Sequence, residues 1–276
     1  MKTVVITGAS SGIGLATAKM LEKSGYNQIW LVRDLNKARK IIAEIKPNRE
    51  ITLIRCDLSD LQSVKQAAAE LELITTSIDV LLNNAGGIVQ EKQVSVNGFE
   101  MSFAMNHLGH FLLLKILLPT LIRNNARVIH VSSEAHRAGK LNFEDLAERH
   151  NYAAFKAYAD VKLCNIYTAK ELHRRHHKDG IRSYSLHPGV VNTGFGSESK
   201  GIFKFLLKAF KPFMITPEKG AQTSFYLCTA DHIDQYSGHY FKKSKPVKPS
   251  TEALKEDDAE KLWNYSEKLV EPFLGH

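Results

Sequence analysis

The sequence predicts an α/β fold, a doubly wound parallel sheet with helices on both faces, and three observations predict it. Short apolar runs alternate with longer amphipathic stretches almost from end to end of the 276 residues. Most of those runs are rich in Val, Ile and Leu with no polar alternation, as in strands buried on both faces. A glycine-rich turn joins the first run to the first amphipathic stretch, which is the start expected of a βα repeat.

In chain order, the runs at 3–7, 28–32, 51–54, 79–82, 127–131, 182–186 and 238–241 are the strand candidates, so the sheet has seven parallel strands. Helical patterning occupies 13–24, 35–45, 61–71, 99–121 and 158–176 between them, with Asp34 placed to cap the second helix. A tail helix at 257–269 carries apolar positions that can dock on the body or on a second subunit. No internal repeat and no Gly, Ser or Pro-rich linker divides the chain. The expectation is one domain, with 1–130 mainly the dinucleotide-binding half and 131–276 the catalytic and substrate-binding half. One segment, 195–217, stands outside the alternation. Its Lys204, Lys208 and Lys211 share a helical face with Phe and Leu on the others. A lid over an apolar substrate is the favoured reading; weak membrane contact by 201–211 and plain core packing stay open.

Composition bounds the function. With 43% hydrophobic and 24% charged residues the chain can bury a sizeable core. The apolar run that opens the chain has neither the length nor the cleavage pattern of a signal peptide, and no later stretch has the uninterrupted length of a membrane span. The expected address is the cytoplasm. Cys56, Cys164 and Cys228 are far apart and odd in number, as small buried side chains are in a reducing compartment. His107 and His110 lack nearby carboxylate or thiolate partners, so no metal is expected. The net charge of +8 raises a nucleic-acid role, but the basic residues fall in short clusters such as 173–178, without interleaved aromatics to stack on bases. No nucleic-acid partner is expected.

The turn Thr7-Gly8-Ala9-Ser10-Ser11-Gly12-Ile13-Gly14 lies between the first strand and the first helix. Glycines let the backbone approach a pyrophosphate, and the emerging helix offers unpaired N–H groups and the positive end of its dipole. In that context the motif predicts a Rossmann-type dinucleotide site. After the second strand come Val32, Arg33 and Asp34. Arg33 offers a cationic fork for a 2′-phosphate, and Asp34 fits a helix cap better than a ribose contact, so NADP(H) is preferred over NAD(H).

Tyr158 and Lys162 are four apart on a helical stretch and share a face. An ammonium beside a phenol brings its pKa toward the working range of a proton donor. Tyr152 and Lys156 have the same spacing, but Tyr152 ends a polar loop whereas Tyr158 opens an amphipathic run.

These motifs, with Asn83-Asn84-Ala85-Gly86, Asn106-His107-Leu108-Gly109, Val131-Ser132-Ser133 and His187-Pro188-Gly189, make the chain resemble the short-chain dehydrogenase/reductase superfamily, in its retinol dehydrogenase and carbonyl reductase branch. The likeness covers nearly the whole chain. It implies a catalytic tetrad of Asn106, Ser133, Tyr158 and Lys162. Tyr158 would protonate the substrate oxygen, Ser133 would hydrogen-bond it, Lys162 would hold the nicotinamide ribose and lower the Tyr158 pKa, and Asn106 would anchor a relay water. It implies cofactor contacts at Gly8, Ser10, Ser11, Gly12, Ile13, Gly14, Arg33, Asp57, Leu58, Asn84, Ala85, Gly86, Val191 and Thr193, besides Tyr158 and Lys162. Ser132 is expected to be the structural neighbour of Ser133, because consecutive strand residues face opposite ways. The activity implied is NADP(H)-dependent hydride transfer on an apolar aldehyde or ketone, with a small-molecule carbonyl or alcohol as partner and a homo-oligomer as assembly. A retinol- or steroid-like alcohol dehydrogenase and a catalytically silent NADP-binding regulator are the alternatives. Eukaryotic retinol dehydrogenases of the branch often carry a hydrophobic N-terminal anchor, and none is expected here. The loops at 88–95, 134–152 and 195–217 are expected to set the substrate.

Overall fold

The computed structural model describes residues 2–190 and 215–274. The expected lid, its 201–211 segment, and Val191 and Thr193 lie outside the described residues or, for the lid, almost wholly so.

Strands β1 (Thr3–Thr7), β2 (Asn27–Val32), β3 (Ile51–Arg55), β4 (Val80–Asn83), β5 (Arg127–Val131), β6 (Arg182–His187), β7 (Tyr240–Lys242) and β8 (Lys245–Val247) form one sheet in the order β3-β2-β1-β4-β5-β6-β7-β8. All neighbours are parallel as far as β7. The eighth strand corrects the expected seven: β8 pairs antiparallel with β7 across a two-residue turn, Lys243-Ser244, both with positive φ. It was hidden because the turn lacks the usual Asn-Gly signal and β8 is an exposed Lys-Pro-Val edge.

Seven helices accompany the sheet among the described residues: α1 (Gly12–Lys23), α2 (Leu35–Ile45), α3 (Leu61–Ile74), α4 (Met101–Arg123), α5 (Ala154–His176), α6 (Pro217–Thr229) and α7 (Glu256–Val270). Asp34 caps α2 by accepting from the Lys37 N–H at 2.9 Å, as its position predicts. The sequence reading has no counterpart for α6. Its start carries a Thr216 cap and Pro217, yet its buried face is largely Gly220, Ala221, Thr223 and Ser224. Small polar residues pack there without tracing an apolar stripe. One core, with Leu112, Phe111 and Trp263, lies under α3, α4, α5 and α7; the other, with Trp30, Tyr184 and Phe241, lies under α1, α2 and α6.

Helix α4 differs from expectation in a second way. By length and composition it passes for a membrane span, although 72% of its most apolar stretch is buried inside the protein. Asn106, His107, His110 and Lys115 break the apolar run in sequence, and all but Lys115 are buried. Its second turn is a π-turn, Ala104–Leu108, that contains Asn106. Strand order reverses between β1 and β4, so a crevice opens above their carboxyl ends, the place where ligands of such sheets bind.

Candidate active site

The crevice is a cleft of about 340 Å³. Gly8, Ser10, Ser11, Gly12, Ile13 and Gly14 form its floor, Arg33 stands at one end, Asp57 and Leu58 form one wall and Asn84, Ala85 and Gly86 the other. These are the expected cofactor residues apart from Val191, Thr193, Tyr158 and Lys162. The turn is close-packed. Gly8 has φ +68° and a Cβ on it would sit 2.9 Å from the Ala85 Cβ; a Cβ on Gly14 would fall 2.4 Å from the Gly8 carbonyl oxygen. Ser11 precedes α1 in extended conformation without a side-chain cap, and no acidic residue lies in the first turn. The N–H groups there remain donors without a carboxylate to screen them.

The cleft holds residues that spacing did not single out. Lys37 lines it beside Arg33, one helical turn further along α2, and both are exposed. Its place in the first turn of α2, directly after the Arg33-Asp34 pair, is the signal that could have found it. Cys56 and Met105 also line the cleft.

Thr7 ties the walls together. The N–H groups of Asn84 and Ala85 donate to its Oγ1 at 2.9 and 3.0 Å, and His110 Nε2 lies 2.9 Å from the same oxygen. His107 turns the other way, to Ser266 Oγ at 2.8 Å in α7. Burial holds both imidazoles neutral, at about 3 for His107 and about 4 for His110. The pair is therefore framework. Cys56, Cys164 and Cys228 are free thiols, all buried.

Beyond Gly86 the four tetrad residues converge. A Cβ on Gly86 would lie 2.5 Å from Asn106 Oδ1 and 3.3 Å from Lys162 Nζ, so the ammonium stands at the end of the cleft. Lys162 Nζ donates to the Val131 carbonyl at 3.1 Å and sits 5.4 Å from the centre of the Tyr158 ring. Tyr158 is half-buried in the second turn of α5, and its side chain is hydrogen-bonded to Ser133. The Asn106 side chain accepts from Gly87 N–H at 2.8 Å and donates to the carbonyls of Gly87 and Ser102. Asn106 therefore fixes the chain after Gly86 through its side chain.

Burial pushes the Tyr158 phenol up to about 12, offset in part by the Ser133 bond. The ammonium faces a carbonyl and is itself brought down to about 8 by burial. Ser132, the expected structural neighbour, carries the pairing of β5 with β6 one residue further through its N–H to the Leu186 carbonyl at 2.7 Å, and both hydroxyls meet α5. Ser132 donates to the Lys162 carbonyl at 2.6 Å. The decoy pair is occupied elsewhere. Tyr152 precedes α5 and donates to the Val89 carbonyl at 2.5 Å, while Lys156 donates to the Lys140 carbonyl and pairs with Asp160.

Phe155, three residues before Tyr158 on α5, is 48% exposed, and Val190 is 44% exposed. Among the described residues no group of three or more His, Cys, Asp or Glu side chains is arranged to hold a metal.

Comparison with known proteins adds to this geometry. The family model described as short chain dehydrogenase matches residues 2–201. The chain is 37% identical to retinol dehydrogenase 12 of Homo sapiens, over 98% of this chain and 86% of that protein. It is 37% identical to retinol dehydrogenase 13 of Homo sapiens, over 98% and 84%. Among solved structures, an uncharacterised protein from Mycobacterium paratuberculosis matches with a TM-score of 0.80 and 32% identity over 98% of this chain and 94% of that one. A 3-ketoacyl-(acyl-carrier-protein) reductase from Brucella melitensis, complexed with NADH, matches with a TM-score of 0.69 over 87% and 95%. At 22% identity it speaks for the fold alone.

Proposed function

Because the chain belongs to the short-chain dehydrogenase family, in its retinol dehydrogenase-like branch, we propose that it is an NADP(H)-dependent oxidoreductase acting on an apolar aldehyde or ketone. The observation that carries the reading is the meeting of Tyr158, Ser133 and Lys162 at the end of a cleft floored by the glycine-rich turn.

The cleft suits a dinucleotide. Its floor has no room for a Cβ at Gly8 or Gly14, so backbone is within reach of a pyrophosphate, and the uncapped N–H groups of α1 supply donors. Arg33 and Lys37 supply two cations for a 2′-phosphate, and Asp34, which also lines the cleft, commits one carboxylate oxygen to the cap of α2. Asp57 and Leu58 would border the adenine and Asn84, Ala85 and Gly86 its ribose; Val191 and Thr193 would meet the nicotinamide. When bound, NADPH supplies the hydride that goes to the carbonyl carbon.

The remaining chemistry falls to this chain's side chains. A phenol held at about 12 keeps its proton at neutral pH, so Tyr158 is a donor to the substrate oxygen in the reductive direction. Ser133, already bonded to Tyr158, stabilises negative charge as it develops on that oxygen. Lys162, charged below about pH 8, stabilises the phenolate left behind and holds the nicotinamide ribose hydroxyls. Asn106 holds Gly87 and the cleft end in place. The exposed ring of Phe155, three residues before Tyr158 on α5, is in keeping with an apolar substrate.

The test is Tyr158→Phe. NADPH oxidation across a panel of apolar aldehydes and ketones falls by about 10²–10⁴-fold, with NADPH affinity unchanged. Full activity in that variant together with an inactive Tyr152→Phe would overturn the assignment.

A further inference from the structure

The turn that carries Ser133 is held by two imidazoles outside the tetrad. His136 is fully buried and His187 nearly so. The backbone N–H of Ser250 donates to His136 Nε2 at 3.0 Å, which leaves the imidazole proton on Nδ1, 2.6 Å from the Ser133 carbonyl oxygen. The backbone N–H of Glu134 donates to His187 Nδ1 at 3.2 Å. Between these two anchors the Ala135 N–H donates to Ser133 Oγ at 3.2 Å, which aims the remaining capacity of that hydroxyl. The His136 ring packs edge-on against Tyr240 at 4.9 Å, and Tyr240 donates to Glu134 at 2.9 Å.

Ser250 belongs to the same tail that grips α5. Tyr167 donates to the Glu252 carbonyl at 2.7 Å and Lys170 to the Ala253 carbonyl at 3.2 Å. The tail thus contacts both the Ser133 turn and the helix bearing Tyr158, and on the turn side the link is an imidazole nitrogen that must keep its lone pair.

We infer that His136 and His187 are positioning residues that hold the Ser133 hydroxyl in its working orientation only while both imidazoles are neutral. The inference rests on reading Ser133 as the group that meets the substrate oxygen. A proton added at His136 Nε2 would face the Ser250 N–H, and one added at His187 Nδ1 would face the Glu134 N–H, so each removes a bond and sets two donors against each other. The charges around them are Glu134 and Arg137 on the turn itself and Lys242 on β7, with Tyr240 neutral beside them. Glu134 is already engaged by Tyr240, Lys242 and Arg137. Burial favours the neutral form of both rings, lowering His136 from its ordinary value and His187 to about 4.

The test measures kcat, KM and their pH dependence in wild type, His136→Phe and His136→Asn, with melting temperature and NADP⁺ affinity as folding controls. His136→Phe loses between about ten- and a hundredfold in kcat while its NADP⁺ affinity stays at the wild-type value. His136→Asn keeps a donor for the Ser133 carbonyl and recovers most of that loss. Wild-type kcat has an acid limb below the ordinary histidine range, because burial lowers both rings, and the limb moves to still lower pH in His136→Asn, where His187 alone is left to titrate. A folded His136→Phe with wild-type kcat overturns the inference. Should that variant not fold, an acid limb identical in wild type and His136→Asn overturns it. Wild-type protein inactive on every carbonyl and alcohol tried would instead defeat the proposed function.

Discussion

At the Arg33 end of the cleft two cations, Arg33 and Lys37, stand exposed to water. At the Tyr158 end the cation is taken out of water: Lys162 is 3% exposed and Asn106 wholly buried, and a phenol and an ammonium are moved in opposite directions by the same desolvation. The difference separates two ways of holding charge. Exposed cations act on a ligand and contribute little to the fold. Buried ones are bound to the fold's own polar groups, so they cannot be removed without exposing those groups to an apolar interior. The first way leaves a local signature in sequence; the second depends on which elements pack together.

Arg149 gives the largest expected effect on this contrast. It is 6% exposed, adopts a left-handed φ of +51°, and lies 3.0 Å from Asp160 of α5 and 3.6 Å from Glu100, the carboxylate that caps α4. Burial raises the Glu100 pKa even with those donors beside it. Arg149→Leu leaves buried Glu100 without its cation and Asp160 with Lys156 alone, and costs about 3–5 kcal/mol of stability, read by urea denaturation. Arg33→Gln, at an exposed site, leaves the denaturation midpoint within about 0.5 kcal/mol of wild type. Equal losses in the two variants would break the distinction between the two ends.

The same distinction decides what could be read in advance. The doubly wound sheet and the glycine turn follow from local apolar runs and spacing, and they were legible. The family likeness picks out Tyr158, Lys162, Ser133 and Asn106 residue by residue, and the structure brings these four together. The directions of their pKa shifts were not legible. A helical interval of four puts Tyr158 and Lys162 on one face, but only the packing of β5 against α5 shows that the ammonium turns to the Val131 carbonyl. α6 and β8 were missed where burial falls on small polar residues or where the strand is an exposed edge. His136 shows no motif at all, and its partner Ser250 is 114 residues away.

Lys162 offers a sharper test with two opposite signs. Its pKa is about 8 when folded and has the ordinary lysine value when unfolded. Between those two values the unfolded chain binds the extra proton, so this residue's contribution to stability rises with pH. In the proposed mechanism its charge works the other way, because the ammonium is lost as pH rises through about 8. Relative to Lys162→Met, cofactor-free wild type therefore gains stability from pH 8 to pH 10. Over the first pH unit above 8 the reductive rate falls up to about tenfold. Stability and rate moving together over this range would mean that Lys162 is not the group responsible.

The smallest effect is expected at Lys37. It lines the cleft from an exposed position beside Arg33, so its attraction for a 2′-phosphate acts through water and is screened by salt. Lys37→Gln weakens NADP⁺ binding by about two- to fivefold, leaves NAD⁺ binding unchanged, and loses most of its effect in high salt. Calorimetric titration of both nucleotides at two ionic strengths reads each part. An equal loss for NAD⁺ would place Lys37 against the pyrophosphate that the two cofactors share, and specificity at that end would then rest on Arg33 alone.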